Sequence, residues 1–310
     1  MKALEVNELR KRYKRFDLQV SFSIEDGETL ALVGPNGAGK TTLIYTLLNI
    51  VRRDGGEIRF FGLDVDRHEV EIKRRLGVFF EEPHLFDDLR VRHILEFCGS
   101  FYPTWDRQYA FQWLEGLGVD SHQKFKRLSK GMRAKVAVVV AFAPRPRLLI
   151  LDEPTAGLDP KMRRVLVEKV REARREFSPA ILLTSHIMRD VEELADRIAF
   201  LEDGRITLLR SREALKEWRI IEGVCDGALS VEAISVKFGE ANQFQLLTEH
   251  CGEELFNRLQ ECGATVTRVL APDLEEIYDW IIDARNRKSE GRSGRRSVPE
   301  GFSPVNIAFK

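Results

Sequence analysis

The strongest chemical signal in the sequence is a glycine-rich segment that runs into Lys40. It reads GPNGAGKTT and fits the phosphate-binding pattern G-x-x-x-x-G-K-[ST]. In such a loop the backbone N–H groups turn inward around phosphate oxygens, the lysine reaches the β and γ phosphates, and the first threonine can ligate Mg²⁺. The pattern therefore predicts a nucleotide site formed by Gly34, Pro35, Asn36, Gly37, Ala38, Gly39, Lys40, Thr41 and Thr42.

Two adjacent carboxylates, Asp152 and Glu153, directly follow the apolar run LLIL. The first can hold Mg²⁺ and the second can polarise an attacking water molecule. Taken alone, such a pair is as often a solvated turn as a reactive site. Together with the phosphate loop, it indicates hydrolysis of a nucleoside triphosphate.

A third motif, LSKGMR, begins at Leu128 and precedes a mostly apolar helical pattern. At a helix start, the Ser129 hydroxyl and the backbone N–H groups of Lys130 and Gly131 can bind an anion. The sequence therefore contains two candidate anion sites. A nucleotide bound to the phosphate loop has only one γ phosphate, so the second site has no γ phosphate within the same chain.

Three short apolar runs predict the strands that position these residues: Thr29–Val33, Leu148–Leu151 and Ala180–Leu183. The first is followed by the glycine-rich segment and then by a predicted helix over Thr41–Ile50. Apolar strands separated by helices indicate an α/β fold with a largely parallel sheet. Ligands bind beyond the carboxyl ends of such strands, where all three polar tips are expected to lie.

In this order the motifs resemble those of an ATP-binding cassette (ABC) ATPase, a class of P-loop NTPase. GPNGAGKTT corresponds to Walker A, LSKGM to the signature, LLILDEP to Walker B, TAGLD to the D-loop and Ser185-His186 to the H-switch. The resemblance covers about residues 1–210. It implies a dimer in which ATP on the phosphate loop of one subunit is closed over by the signature residues of the other, Ser129, Lys130, Gly131 and Met132.

The resemblance also implies roles for single residues. Glu153 would be the general base, His186 would contact the γ phosphate, and Asp159 would act across the dimer interface. Tyr13 resembles the aromatic residue that stacks on adenine, with Phe16 as the alternative and simple packing as another reading. ATP and Mg²⁺ are the expected cofactors.

The chain departs from the common cassette pattern at three positions. Glu81 stands where most cassettes carry a glutamine, and we expect it to ligate Mg²⁺ beside the nucleotide. Its extra negative charge near phosphates should raise its own pKa or weaken ATP binding. Lys130 and Met132 in the signature resemble the variants of ABC-2-type exporter cassettes.

Changes in composition and apolar pattern along the sequence predict three parts. Residues 1–216 are expected to form the ABC ATPase domain, with a helical subdomain at about 83–143. Residues 217–284 are expected to form a small α+β domain, and the Arg-, Ser- and Gly-rich residues 285–310 a disordered tail. The predicted elements of the small domain are strands at Ala228–Lys237, Gln243–Leu247 and Ala264–Leu270 and helices at Glu253–Cys262 and Pro272–Ala284, with Pro272 in the first turn of its helix.

Composition narrows the class of protein. Lys plus Arg and Asp plus Glu number 49 each, so bulk charge does not indicate a nucleic-acid binder. The longest apolar run, Val136–Ala143, is far shorter than the roughly 18–20 residues of a spanning helix. The N-terminal residues mix acids and bases, unlike a secretory signal, and four scattered cysteines predict neither a disulfide framework nor a zinc cluster. We expect a cytoplasmic protein.

The sequence is compatible with two classes of ABC ATPase. The single set of motifs, with no heptad run between its halves, favours the ATPase subunit of an exporter. The resemblance then implies a second cassette, a separate membrane permease, and a location at the cytoplasmic face of the cell membrane. The stretch FYPTWD, Phe101–Asp106, resembles bacterial ABC-2-type efflux cassettes, and an ordinary aromatic core patch explains it equally well. The alternative is a soluble ABC-class ATPase acting on nucleic acid or ribosomes, supported mainly by the Arg-rich tail.

Overall fold

The computed structural model describes residues 1–82, 85–226, 229, 231, 233–239 and 242–290. The chain divides into two compact units, Met1–Leu209 and Arg210–Lys310. None of the helices among the described residues is long and apolar enough to cross a bilayer.

The first unit is built on a ten-stranded mixed sheet, in the order β5-β4-β1-β2-β10-β9-β3-β8-β7-β6. Strands β6 to β9 and β3 form its parallel part. Strands β1, β2, β4 and β5 pair in antiparallel fashion at the other end. The strands are β1 (Lys2–Tyr13), β2 (Phe16–Glu25), β3 (Thr29–Val33), β4 (Gly55–Phe60), β5 (Leu63–Asp64), β6 (Leu76–Phe79), β7 (Leu148–Asp152), β8 (Ala180–Ser185), β9 (Arg197–Glu202) and β10 (Arg205–Ser211).

The three predicted strands are confirmed as β3, β7 and β8. Every residue of these strands is buried, which is why each reads as an unbroken apolar run in the sequence. Val33 pairs with Ser185, and Asp152 pairs with Thr184. This register places the polar tips of the three strands together at one edge of the sheet.

The antiparallel part of the sheet was not predicted. Its strands alternate between buried and exposed residues, as in β2, where Leu18, Val20, Phe22 and Ile24 point into the core. The largely parallel sheet expected from the sequence is therefore only one half of a mixed sheet.

Among its described residues, the first unit has seven α-helices. They are α1 (Lys40–Leu47), α2 (Glu69–Lys73), α3 (Val91–Gly99), α4 (Arg107–Gly116), α5 (Lys130–Phe142), α6 (Pro160–Glu176) and α7 (Met188–Leu194). Helix α1 begins one residue before the prediction and ends at Leu47 rather than Ile50. Helices α3, α4 and α5 share a core of their own, which contains Ile94, Leu114 and Val136.

The FYPTWD stretch contains both packed and exposed residues, so it is only partly a core patch. Trp105 is a packing residue, because a Cβ added to Gly99 would lie 2.6 Å from its indole Nε1. Asp106 accepts a hydrogen bond from Tyr109 N at 2.9 Å and so caps α4. Phe101, in contrast, is 56% exposed.

The second unit is a small α+β structure. Its elements are α8 (Arg212–Lys216), β11 (Arg219–Cys225), β12 (Ser235–Phe238), β13 (Gln243–Thr248), α9 (Glu253–Glu261), β14 (Ala264–Leu270) and α10 (Leu274–Glu290). The strands form an antiparallel sheet in the order β12-β13-β11-β14. The predicted strand Ala228–Lys237 begins only at Ser235 in the structure, and part of it lies outside the described residues.

The limits of the last helix differ from the prediction at both ends. Asp273 Oδ1 accepts a hydrogen bond from Glu276 N at 2.8 Å, and Glu276 Oε2 accepts one from Asp273 N at 2.9 Å. This reciprocal cap starts the helix at Leu274, so the placement of Pro272 in the first turn was wrong. The helix continues to Glu290, so the predicted disorder of 285–290 was also wrong, and residues 291–310 lie outside the described residues.

Candidate functional site

The glycine-rich segment connects the end of β3 to the start of α1 and curls around one lysine. Lys40 is only 6% exposed, and its Nζ donates to Gly34 O at 2.6 Å and to Pro35 O at 3.2 Å. A Cβ on Gly34 would lie 2.2 Å from Leu201 O, and Gly39 has a φ of 109°. Both positions therefore require glycine, and the loop is a narrow backbone cradle at the amino end of a helix.

The structure brings Lys40, Glu153 and His186 together. Lys40 Nζ lies 3.2 Å from Glu153 Oε1, and His186 Nδ1 lies 2.7 Å from Glu153 Oε2. The backbone N–H of His186 also donates to Glu153 Oε2 at 3.2 Å. Each oxygen of the buried Glu153 carboxylate thus has its own cationic or imidazole neighbour, and the carboxylate has a fixed direction.

Asp152 lies beside this group and faces two hydroxyls. Thr184 Oγ1 donates to Asp152 Oδ1 at 2.7 Å, and Thr41 Oγ1 lies 3.4 Å from Asp152 Oδ2. Burial raises the pKa of Asp152, the hydrogen bonds from Thr184 and Thr41 oppose this rise, and the charges of Glu153 and Glu81 add to it. Carboxylate and hydroxyl oxygens of this kind suit Mg²⁺, which prefers hard oxygen ligands and usually takes one or two carboxylates together with substrate phosphates.

Sequence reasoning did not single out Thr184. Its side chain donates to Asp152, and it also accepts from Glu153 N at 3.0 Å, so it contacts both acids of the Walker B motif. A signal was available, because Thr184 belongs to one of the three polar strand tips and pairs directly with Asp152 in the sheet.

Glu81 lies two residues beyond the end of β6, at the same edge of the sheet. Its side chain is exposed, and its charge reaches Asp152, whose pKa it helps to raise. A third carboxylate therefore acts on the same site.

Tyr13 and Phe16 occupy different environments. The Phe16 ring is packed against the phosphate loop, since a Cβ on Gly39 would lie 2.5 Å from its Cζ. Tyr13 is 47% exposed, with Lys11 Nζ 5.2 Å from its ring centroid. Phe16 therefore packs against the phosphate loop, whereas the exposed ring surface of Tyr13 is accessible to a ligand.

The signature residues lie at the start of α5. Ser129 caps this helix, accepting from Met132 N at 3.3 Å, and Lys130 is exposed. The Nζ of Lys130 would lie 3.4 Å from a Cβ on Gly157 of the D-loop. Among the described residues, the hydrogen bonds and ion pairs of Ser129, Lys130, Gly131 and Met132 do not reach the phosphate loop.

Asp159 is the cap of α6 and does not join the Lys40 group. It accepts from Lys161 N at 2.9 Å and from Met162 N at 3.0 Å, and Pro160 occupies the first helical position. The N–H of Met162, together with that of Lys161, holds the pKa of Asp159 below its usual value.

The fold and the site together define a P-loop nucleotide hydrolase, and comparisons with known proteins give its family. Residues 18–156 match the family described as "ABC transporter". The linearmycin resistance ATP-binding protein LnrL of Bacillus subtilis (strain 168) is 32% identical over 219 residues, which cover 68% of this chain and 70% of that protein. The ABC transporter ATP-binding protein YtrB of the same organism is 29% identical over 282 residues, 89% of this chain and 94% of that protein.

A solved structure of an ATP-binding subunit of an ABC transporter superposes with a TM-score of 0.63 at 28% identity. The superposition covers 69% of this chain and 92% of that one. The chain belongs to the ATP-binding proteins of ABC transporters, which are ATPases coupled to transport.

Proposed function

We propose that this chain is the ATP-hydrolysing subunit of an exporter, and that it works as a dimer on a separate membrane permease. One observation carries the proposal. Glu153 is held between Lys40 and His186 at the tips of parallel strands, directly beside a phosphate-binding loop. In the proposed complex this fixed carboxylate would lie next to the γ phosphate.

In this proposal the nucleotide is bound by Gly34–Thr42 and by Tyr13. The N–H groups of the loop and the Lys40 ammonium hold the phosphates, and the open face of Tyr13 stacks on adenine. Thr41, Asp152 and Glu81 would hold Mg²⁺ through their oxygens. The bound metal would neutralise charge on the phosphates.

Glu153 is the proposed general base. Its Oε1 is buried and makes no hydrogen bond among the described residues, although Lys40 lies 3.2 Å away. That oxygen can accept a proton from an attacking water. His186 fixes the other oxygen and remains half exposed, so its imidazole can also contact a phosphate.

The proposal of a dimer is supported by the separation of the two anion sites. Ser129, Lys130 and Gly131 stand at the start of α5, and their polar contacts do not reach the phosphate loop of their own chain. A second copy or a related cassette would supply this group to the nucleotide from across the interface. The D-loop approaches this group at Gly157, where an added Cβ would lie 3.4 Å from Lys130 Nζ, and Asp159, two residues further on, would lie at that interface.

A row of exposed aromatic rings supports docking to a permease. Phe86, Phe97 and Phe101 are each about half exposed and contact one another edge to face, with centroid distances of 5.0 and 5.1 Å. Adjacent exposed rings of this kind are typical of protein contact surfaces. The permease would hold the chain at the cytoplasmic face of the membrane, and similarity to a linearmycin resistance protein favours export.

The test combines activity with assembly. Glu153→Gln should reduce the ATPase rate by about a hundredfold or more, since a general base contributes 10² to 10⁴. The variant should elute as a dimer in size-exclusion chromatography only with ATP and Mg²⁺. Glu176→Gln, an exposed acid at the end of α6, serves as the matched control and should behave like the wild type. Wild-type turnover in Glu153→Gln would refute the assigned base.

A further inference from the structure

A buried carboxylate outside the motifs connects three segments of the site. Asp190 lies on α7, is 1% exposed, and is four residues beyond His186. Its side chain accepts a hydrogen bond from Thr155 Oγ1 and forms an ion pair with Arg163. Burying a charge is costly unless the charge is paired and hydrogen-bonded, so the two partners are needed to keep Asp190 in place.

The partners of Asp190 flank the proposed catalytic residues. Thr155 follows Glu153 by two residues, and Arg163 lies in the first turn of α6, close behind the D-loop. Asp190 therefore links the segment that carries His186 to the segment of the same chain that carries Glu153.

The backbone at Glu153 shows why this connection matters. Glu153 has a φ of 46°, a left-handed conformation that is strained for a non-glycine residue and persists only where the surroundings hold it. On its amino-terminal side, the N–H of Glu153 donates to Thr184 O at 3.2 Å and to Thr184 Oγ1 at 3.0 Å. On its carboxyl-terminal side, the chain is held by the bond from Thr155 to Asp190.

We infer that Asp190 is a positioning residue that sets the Glu153 carboxylate against His186. It acts through Thr155 and through α7. This inference rests on the proposed function, because it assumes that the Glu153–His186 pair serves hydrolysis. The competing explanation is that Asp190 only stabilises the fold. The positioning role and the purely structural role predict different effects on turnover.

The experiment compares Asp190→Asn and Thr155→Val with two controls. Thr155→Ser keeps the hydroxyl. Asp196→Asn removes a more exposed carboxylate–arginine pair outside the Glu153–His186 group, in which Asp196 Oδ2 lies 2.9 Å from Arg174 Nη2. Both test variants should lower kcat by about tenfold or more while KM for ATP stays within about twofold, as expected when reacting groups are misplaced. Thr155→Ser should retain near-wild-type kcat, and Asp196→Asn should lower Tm and leave kcat within about twofold.

A second readout reports the geometry without relying on turnover. In ¹⁵N-histidine-labelled protein, with the signal assigned through His186→Ala, the His186 imidazole resonances should shift in Asp190→Asn and Thr155→Val and stay in place in Asp196→Asn. If the test variants have a lowered Tm but unchanged kcat and unchanged His186 resonances, the inference is overturned. If Asp190→Asn does not fold, the results for Thr155→Val decide the question. If Glu153→Gln keeps wild-type activity, the proposed function fails, while the His186 resonances still test the role of Asp190.

Discussion

Replacing Thr184 by valine should move the pH dependence of ATP hydrolysis. The hydroxyl of Thr184 donates to Asp152 Oδ1 at 2.7 Å, and valine has nearly the same shape without that donor. The N–H of Glu153 would keep its second acceptor, the backbone oxygen of Thr184, at 3.2 Å. The substitution therefore acts mainly on one oxygen of Asp152.

The magnitude follows from the strength of the lost bond. A hydrogen bond to a charged group contributes about 1.5–3 kcal/mol, and 1.36 kcal/mol corresponds to one pKa unit, so the pKa of Asp152 should rise by about one to two units. Asp152 is only 4% exposed, so solvent cannot replace the missing donor. The ionised carboxylate is the form that would bind Mg²⁺, so the acid limb of kcat/KM should move to higher pH by the same amount.

The same shift makes a prediction about stability. Burial already raises the pKa of Asp152 above its unfolded value, so the folded chain binds this proton more tightly than the unfolded chain. The resulting loss of stability is present above the folded pKa and vanishes as the pH falls below the unfolded value. The Tm of Thr184→Val should therefore lie below that of the wild type at pH 8, and the difference should shrink toward pH 4.

The measurement is kcat/KM from pH 5 to 9 at fixed free Mg²⁺, with Thr184→Ser as the control that keeps the hydroxyl. Thr184→Ser should follow the wild-type profile. Coinciding acid limbs for wild type and Thr184→Val would refute the reasoning, because they would show that the ionisation of Asp152 does not govern the reaction.

Two further predictions concern single side chains at the site. Glu81→Gln removes a charge that raises the pKa of Asp152, so the acid limb should move to lower pH. The substitution also removes a proposed anionic ligand of Mg²⁺, so half-maximal ATPase should need more free Mg²⁺. Titration with Mg²⁺ checks this, and equal curves would contradict it. Tyr13→Ala should raise KM for ATP by about tenfold, in keeping with about 1–3 kcal/mol for stacking on a base, whereas Tyr13→Phe should not. An unchanged KM in Tyr13→Ala would exclude stacking.

The sequence predicted three of the five strands in the parallel part of the sheet, for a physical reason. Strands β3, β7 and β8 are buried on both faces, so nothing interrupts their apolar runs. Strand β1 was missed because its pairing with β2 shifts register twice, between Lys2 and Leu4 and between Val6 and Leu9. Each shift breaks the two-residue alternation by which a half-buried strand is recognised.

The candidate site was predictable only where its residues are neighbours in the sequence. Lys40, Asp152, Glu153 and His186 belong to short motifs whose spacing carries the signal. Asp190 lies in the stretch MRDVEELADR, where charged residues alternate with apolar ones and nothing marks it as buried. Its partners Thr155 and Arg163 are 35 and 27 residues away, and only the folded chain brings them together.

The contacts of Glu153 also indicate how the site can change partners during a reaction. Lys40 Nζ donates hydrogen bonds to Gly34 O and Pro35 O and lies 3.2 Å from Glu153 Oε1 as an ion pair. A phosphate oxygen must therefore compete with one of these acceptors for the ammonium. His186 holds the opposite oxygen of Glu153 at 2.7 Å, so the carboxylate keeps its place when Lys40 turns to the phosphate. Because Lys40 and His186 contact different oxygens of Glu153, the site can lose the Lys40 contact and keep the His186 contact. The elements that fix His186 should therefore affect turnover.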